Sequence, residues 1–174
     1  MKNLYFAVLH SLGFTHKKLR DTTEDIEWFY KRIDTKILLE AGFQIDKAQT
    51  IVDKMTPKNV ERVEHTLREL QVNVVHIDEA ESPSLLKILP DAPTILYVRG
   101  ALLPHDALIS VVGSRKHSQY AVSCLEKIIP DLIRAGYGIV SGWAYGIDSV
   151  AHGLALKNKG YTAAVFGAGI DVYY

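Results

Sequence analysis

The 174-residue sequence lacks the features that mark secreted and membrane proteins. Its only cysteine is Cys124. A single thiol forms no intramolecular disulfide and no cysteine-based zinc cage, which favours a reducing compartment. No stretch approaches the roughly 18 consecutive apolar residues of a spanning helix. The N-terminus has no cleavage site typical of a signal peptide. We therefore expect a cytoplasmic protein without a membrane segment.

An excess of charge of either sign is also missing. Twenty basic side chains balance twenty acidic ones, so the formal net charge at pH 7 is zero. A neutral chain has no global basic field that attracts polyanions, and any binding of nucleic acid must come from a local patch. The apolar share of 48% is typical of a globular protein and excludes extended disorder. The length fits one domain with a small addition.

Residues 1–70 have apolar side chains at helical spacing and predict a small all-helical domain, similar to sterile-alpha-motif or helix-hairpin-helix domains. Thr56 and Pro57 suit the N-cap and first residue of its last helix. Residues 39–51 resemble a helix-hairpin-helix, but Gln44 replaces the usual second glycine. This replacement favours a plain helical hairpin over a contact with the DNA backbone.

Residues 71–174 predict an α/β domain. Short β-branched runs occur at 72–77, 94–98, 107–112, 139–140 and 162–166, with helical patterns between the last three. Strand and helix alternate there as a βαβαβ unit, which predicts a Rossmann-like parallel sheet with right-handed crossovers. The run at 107–112 is nearly all apolar and predicts a strand buried on both faces. Pro130 predicts a kink or an early end in the first of these helices.

Glycines and small polar residues follow each of the last three predicted strands. Ligands of open α/β sheets bind outside the carboxyl ends of the strands, and amides at helix N-termini attract phosphate. The pattern therefore predicts a phosphate or nucleotide site, although tight turns without a ligand would need the same small residues. The candidate residues are Gly113, Ser114, Arg115, Lys116, Ser141, Gly142, Gly146, Gly167 and Gly169.

Asp148 and His152 are four residues apart and lie on one face of a predicted helix. In a catalytic interpretation, Asp148 would orient His152 as a general base. In a structural interpretation, Asp148 complements the helix N-terminus and His152 packs beneath the loop. The second is favoured, because no nucleophile or metal partner is evident. The sequence also matches neither GxGxxG after a strand, nor GxxxxGK[ST], nor GxSxG.

Three segments carry a resemblance to a known family: 111–116 (VVGSRK), 141–152 (SGWAYGIDSVAH) and 167–174 (GAGIDVYY). They closely resemble the DNA-processing protein A family, also called DprA or Smf, and residues 83–93 and 96–100 are similar to its lead into the first Rossmann strand. The match is specific from about residue 72 onward.

The resemblance implies a recombination mediator that binds single-stranded DNA and helps to load the RecA recombinase, notably during natural transformation. It also implies a homodimer, with no cofactor and no catalysed reaction. By motif, Arg115 would contact a DNA phosphate with help from Lys116. Gly113, Ser114, Ser141, Gly142 and Gly146 would shape the pocket, and Gly167 and Gly169 would form its third side. Asp148 and His152 would support it.

Two departures from the family pattern bear on this expectation. Trp143 and Tyr145 stand where the family has a small or aliphatic residue and a basic one, and either base stacking or packing against a loop would suit them. The family's Rossmann-like domain also continues beyond the position of Tyr174, so we expect this chain to end inside it, which leaves the dimer and RecA contacts open. A nucleotide-binding or nucleotide-cleaving protein of the lysine-decarboxylase-like (LOG) group is the alternative, although its glycine-glycine-x-glycine-threonine stretch is absent.

Overall fold

The computed structural model describes residues 2–22, 25–102 and 107–172. The chain divides into two compact units, residues 1–102 and 103–174. Within the described residues, no helix is long and apolar enough to cross a membrane.

Side-chain caps start three of the described helices in the first unit. Asp25 accepts hydrogen bonds from the amides of Glu27 and Trp28, and Asp34 accepts one from Ile37. Thr56 caps the last helix as its sequence predicts. The helices are α1 (Lys2–Ser11), α2 (His16–Thr22), α3 (Ile26–Arg32), α4 (Thr35–Glu40), α5 (Ile45–Lys54) and α6 (Pro57–Glu69).

Two antiparallel strands complete this unit: β1 (Val72–His76) and β2 (Ile95–Arg99). A short 3₁₀ turn at Ser84–Leu86 lies in their connection. Ile95 is fully buried in the same core as Leu9, Phe14 and Leu38 from the helices. Because this hairpin completes the helical core, the first compact unit extends to residue 102, past the composition change at residue 70.

The second unit is the predicted βαβαβ arrangement. Its elements in chain order are β3 (Leu108–Ser110), α7 (Gln119–Arg134), β4 (Gly138–Ser141), α8 (Ile147–Lys157) and β5 (Thr162–Ala164). The three strands are parallel in the order β3-β4-β5. Ile129 of α7, Ile139 of β4, and Ala151 and Ala155 of α8 form the buried core. The α/β class with a Rossmann-like parallel sheet is thus confirmed.

One expectation about this unit was wrong, and of the two outcomes expected for Pro130 the early helix end did not occur. The run at 107–112 does not form a strand buried on both faces: in β3 Leu108 is 40% exposed, and Val112 beyond the end of β3 is 82% exposed. The apolar composition of this run therefore does not predict its burial correctly. Pro130 does not end its helix early, because α7 continues to Arg134. Fully buried Ile129, next to Pro130, anchors this part of the helix.

We predict that the first unit loses stability in mild acid. Burial, together with the nearby charge of His16, lowers the pKa of His10 from 6.5, and burial also lowers the pKa of His16 and of His76. These groups stay neutral in the folded state while the unfolded chain takes up protons, so stability is full above pH 6.5 and falls as pH decreases below it.

Urea unfolding of a Trp143→Phe chain, followed by the fluorescence of Trp28 at about pH 7.5 and about pH 5.5, measures this dependence. We expect a lower midpoint at the acidic pH and a smaller difference in His10→Gln. Exposed His65 provides the control, since His65→Gln should keep the full pH dependence. An equal midpoint at both pH values contradicts the assignment.

Two glycines of the second unit make a matched pair for stability. A Cβ at Gly160 would lie 2.8 Å from Cγ1 of Ile133, whereas one at Gly153, exposed within α8, would meet nothing within 4 Å. We expect Gly160→Ala to lower the free energy of unfolding by about 1–3 kcal/mol through overpacking. Gly153→Ala should raise it by about 0.5–1 kcal/mol through helix propensity. Thermal unfolding checks both, and similar effects of the two changes would refute the packing at Gly160.

Candidate functional site

The carboxyl ends of β3, β4 and β5 lie at one edge of the sheet because the strands are parallel. Three loops leave this edge: the first loop (111–118), the second loop (142–146) and the third loop (165–172). The described strands run in simple sequential order, so the edge itself, rather than a reversal of strand order, defines the candidate site.

Close backbone contact joins the first and second loops. Gly146 has φ +95°, and a Cβ there would lie 2.7 Å from Cα of Arg115 and closer still to the carbonyl oxygen of Ser114. The amide of Ile147 donates to that same oxygen at 3.2 Å. A Cβ at Gly113 would lie 2.6–2.7 Å from side-chain atoms of Ile147. Both glycines are therefore required for the approach of the two loops.

Asp148 holds the second loop from within. Its buried carboxylate accepts hydrogen bonds from the amides of Gly142, at 3.2 Å, and Ala144, at 3.4 Å. Two amides at the start of α8 also donate hydrogen bonds: that of Ile147 to the carbonyl oxygen of Ser114, and that of Ser149 to the carbonyl oxygen of Ala144. At the start of α8, the amides of Ile147 and Ser149 are therefore taken up by the chain's own carbonyl groups, so these two amides are not available to an anion.

The start of α7 is different. Ser118 caps it by accepting a hydrogen bond from Ala121, but the amides of Gln119 and Tyr120 have no hydrogen-bond partner within the described ranges. These amides and the helix dipole favour an anion at this position. A groove of about 600 Å³ lies here, and its lining includes Gly113, Ser114, Lys116, Ser118, Tyr120 and Cys124.

Arg115 and Lys116 supply positive charge beside this groove. Both side chains are exposed, and neither forms an ion pair with any residue that the structure describes. Ser114 shapes their loop by accepting a hydrogen bond from the amide of Lys116 and donating one to its carbonyl oxygen. The first loop therefore presents two available cations next to an open helix start.

Ser141 and His152 are buried beneath the second loop. The Ser141 hydroxyl donates to the carbonyl oxygen of Val111 at 2.7 Å and so ties β4 to the first loop. Thr162 donates its hydroxyl proton to Ile139, so it accepts from Nδ1 of His152 at 2.7 Å. Burial lowers the pKa of His152, although nearby Asp148 opposes this shift. A neutral, hydrogen-bonded and 1% exposed histidine is placed to support the loop.

The third loop starts beside the second but makes fewer contacts. A Cβ at Gly167 would meet nothing within 4 Å, and one at Gly169 would meet only Asp171 and Val172 of the same loop. Across the described part of the chain, no hydrogen bond joins residues 167–172 to the other loops. The structure thus brings the candidate residues of the first and second loops together. It leaves the two candidates of the third loop, Gly167 and Gly169, apart from them. Tyr173 and Tyr174, part of the third matching segment, lie outside the described residues.

Sequence reasoning missed three residues of this site. Ser118 is a helix cap with the expected residue type, so the start of the predicted helix could have identified it. Thr162 supports His152 from β5, but it begins an apolar strand without any local signal. Tyr120 is 79% exposed at the groove, and only the structure shows it there.

Comparison with known proteins assigns this arrangement to a family. The model of a family described as DNA recombination-mediator protein A matches residues 73–174, which is more than half of the chain. DNA processing protein DprA of Bacillus subtilis (strain 168) is 32% identical over 125 residues, which cover 71% of this chain and 42% of that protein. Protein Smf of Escherichia coli (strain K12) is 31% identical over 157 residues, which cover 88% of this chain and 42% of that protein.

The fold agrees with these sequence matches. The X-ray structure of DNA processing protein A from Streptococcus pneumoniae superposes with a TM-score of 0.77 at 28% identity, covering 100% of this chain and 60% of that one. The chain spans about two fifths of the length of the two curated relatives. It belongs to the DNA recombination-mediator protein A family, whose curated relatives carry the names DprA and Smf.

Proposed function

We propose that the chain binds single-stranded DNA at the rim formed by its first and second loops. The observation that carries this proposal is the pair of exposed cations, Arg115 and Lys116, held beside the open start of α7. Phosphodiester groups are the anions that such a combination binds well, since a guanidinium, an ammonium and helix amides all donate hydrogen bonds to phosphate oxygens.

The proposed contacts are to the DNA backbone. Arg115 binds one phosphate with its planar guanidinium, and Lys116 with the amides of Gln119 and Tyr120 binds another. Such contacts are independent of base sequence, which suits a protein that coats or transfers single strands. The neutral charge of the whole chain does not oppose this, because the carboxylate at the end of the second loop, that of Asp148, is buried and bonded to amides.

The family gives this binding a biological setting. We propose that the chain works as part of a recombination mediator, binding DNA rather than catalysing a reaction on it. Loading of RecA during DNA uptake and formation of a homodimer are part of the same proposal. The family description and the names of the relatives support its recombination and DNA-processing role. A LOG-like protein would instead bind mononucleotides, and the first experiment separates the two.

The charge test compares substitutions inside and outside the rim. In fluorescence anisotropy with labelled oligo-dT, we expect Arg115→Ala and Lys116→Ala each to weaken binding several-fold. Each should also reduce the slope of log K against log salt by about 1, because one phosphate contact is lost. Arg134→Ala and Lys127→Ala, which remove the same charges further along α7, are the matched controls. Preference for a mononucleotide over oligo-dT would contradict the proposal and favour the LOG-like function.

The geometry of the loops can be tested without removing a charge. Gly146→Ala places a Cβ against the backbone of Ser114 and Arg115, so the first loop has to move. We expect oligo-dT binding to fall about as much as in Arg115→Ala. Circular dichroism checks that the fold remains, and Gly153→Ala is the control at an open glycine. Unchanged binding in a folded Gly146→Ala protein would show that this loop contact does not position the cations.

A further inference from the structure

Trp143 has an unusual backbone conformation for a large side chain. Its φ is +60°, in the left-handed region that bulky residues rarely adopt. It is also 42% exposed although it is among the largest apolar side chains of the chain. Backbone strain and an exposed aromatic ring at the same residue of a loop in the proposed site point to a functional role.

The ring of Trp143 packs against a buried side chain. It contacts the ring of buried His152, with centroids 4.8 Å apart and planes at 47°. His152 is itself fixed by its hydrogen bond to Thr162. The next residue, Ala144, donates its amide to Asp148. Since one side of the indole rests on a fixed imidazole, its exposed surface is presented to solvent in a defined orientation.

The second loop, which carries Trp143, contacts the first loop, which carries the cations. Gly146, three residues further on, contacts the backbone of Ser114 and Arg115. Tyr145 lies in the same loop and is 68% exposed, but among the described residues its ring contacts no other ring. Of the two aromatic residues, Trp143 is therefore the one whose ring packs against another ring.

We propose that a base of the bound single strand stacks on the exposed surface of Trp143 while Arg115 holds the neighbouring phosphate. This inference rests on the proposed function and assigns to Trp143 the contact with the bases. Stacking needs only the flat face that every base has, so it adds affinity without sequence preference. His152 is a positioning residue in this arrangement, since it contacts the indole and not the DNA.

The two tryptophans of the chain allow a direct measurement. In Trp28→Phe, the remaining fluorescence comes from Trp143 alone. Oligo-dT should quench it along the same curve as the anisotropy of the labelled oligonucleotide. An oligonucleotide of equal length with abasic sites keeps the phosphates but has no bases, and it should bind more weakly without quenching.

Substitution gives the complementary result. Trp143→Leu should weaken oligo-dT binding about tenfold and leave binding of the abasic oligonucleotide unchanged, whereas Trp143→Phe, which keeps an aromatic face, should retain most of the affinity. If oligo-dT binds without quenching, or if Trp143→Leu weakens both oligonucleotides equally, the stacking proposal is overturned and backbone binding stands. If neither oligonucleotide binds the parent protein, the proposed function fails as well.

Discussion

The approach of Gly146 to the backbone of Ser114 and Arg115 is the contact on which the whole rim depends. It brings together two loops that leave different strands, and the hydrogen bond from the Ile147 amide to Ser114 secures it. A side chain larger than hydrogen at Gly146 would occupy the space of the first loop. The position of the cations is thus set by backbone packing, which is more rigid than any arrangement of lysine and arginine side chains alone.

The distribution of charge and free hydrogen-bond donors at the rim differs between its two helix starts. Asp148 acts as an internal anion for the second loop, and it satisfies amides that would otherwise attract a phosphate. At the start of α7 the amides of Gln119 and Tyr120 have no partner among the described residues, and the two cations lie beside it. In the proposed function, this asymmetry is what gives a chain with no net charge a local anion site. It also leaves the second loop to present aromatic groups instead of charge.

Much of this architecture could be predicted from the sequence, because local patterns determine it. The alternation of strands and helices, the Thr56 cap and the glycines after the strands all depend on neighbours in sequence. What could not be predicted depends on tertiary packing. The exposure of Val112 depends on which strand lies beside β3, and the continuation of α7 past Pro130 depends on the anchoring of Ile129. The hydrogen-bond partners of the amides near the two helix starts could not be predicted either, because they depend on which carbonyl and carboxylate groups the fold brings close.

The central claim is that single-stranded DNA contacts the edge of the sheet where the first and second loops meet. Amide chemical-shift mapping of the full chain with unlabelled oligo-dT tests it most directly. The account predicts shifts concentrated in residues 113–120 and 142–147, with Gly136 and Gly160 at the opposite edge of the sheet unaffected. Shifts centred on that opposite edge, or confined to residues 1–102, would contradict it.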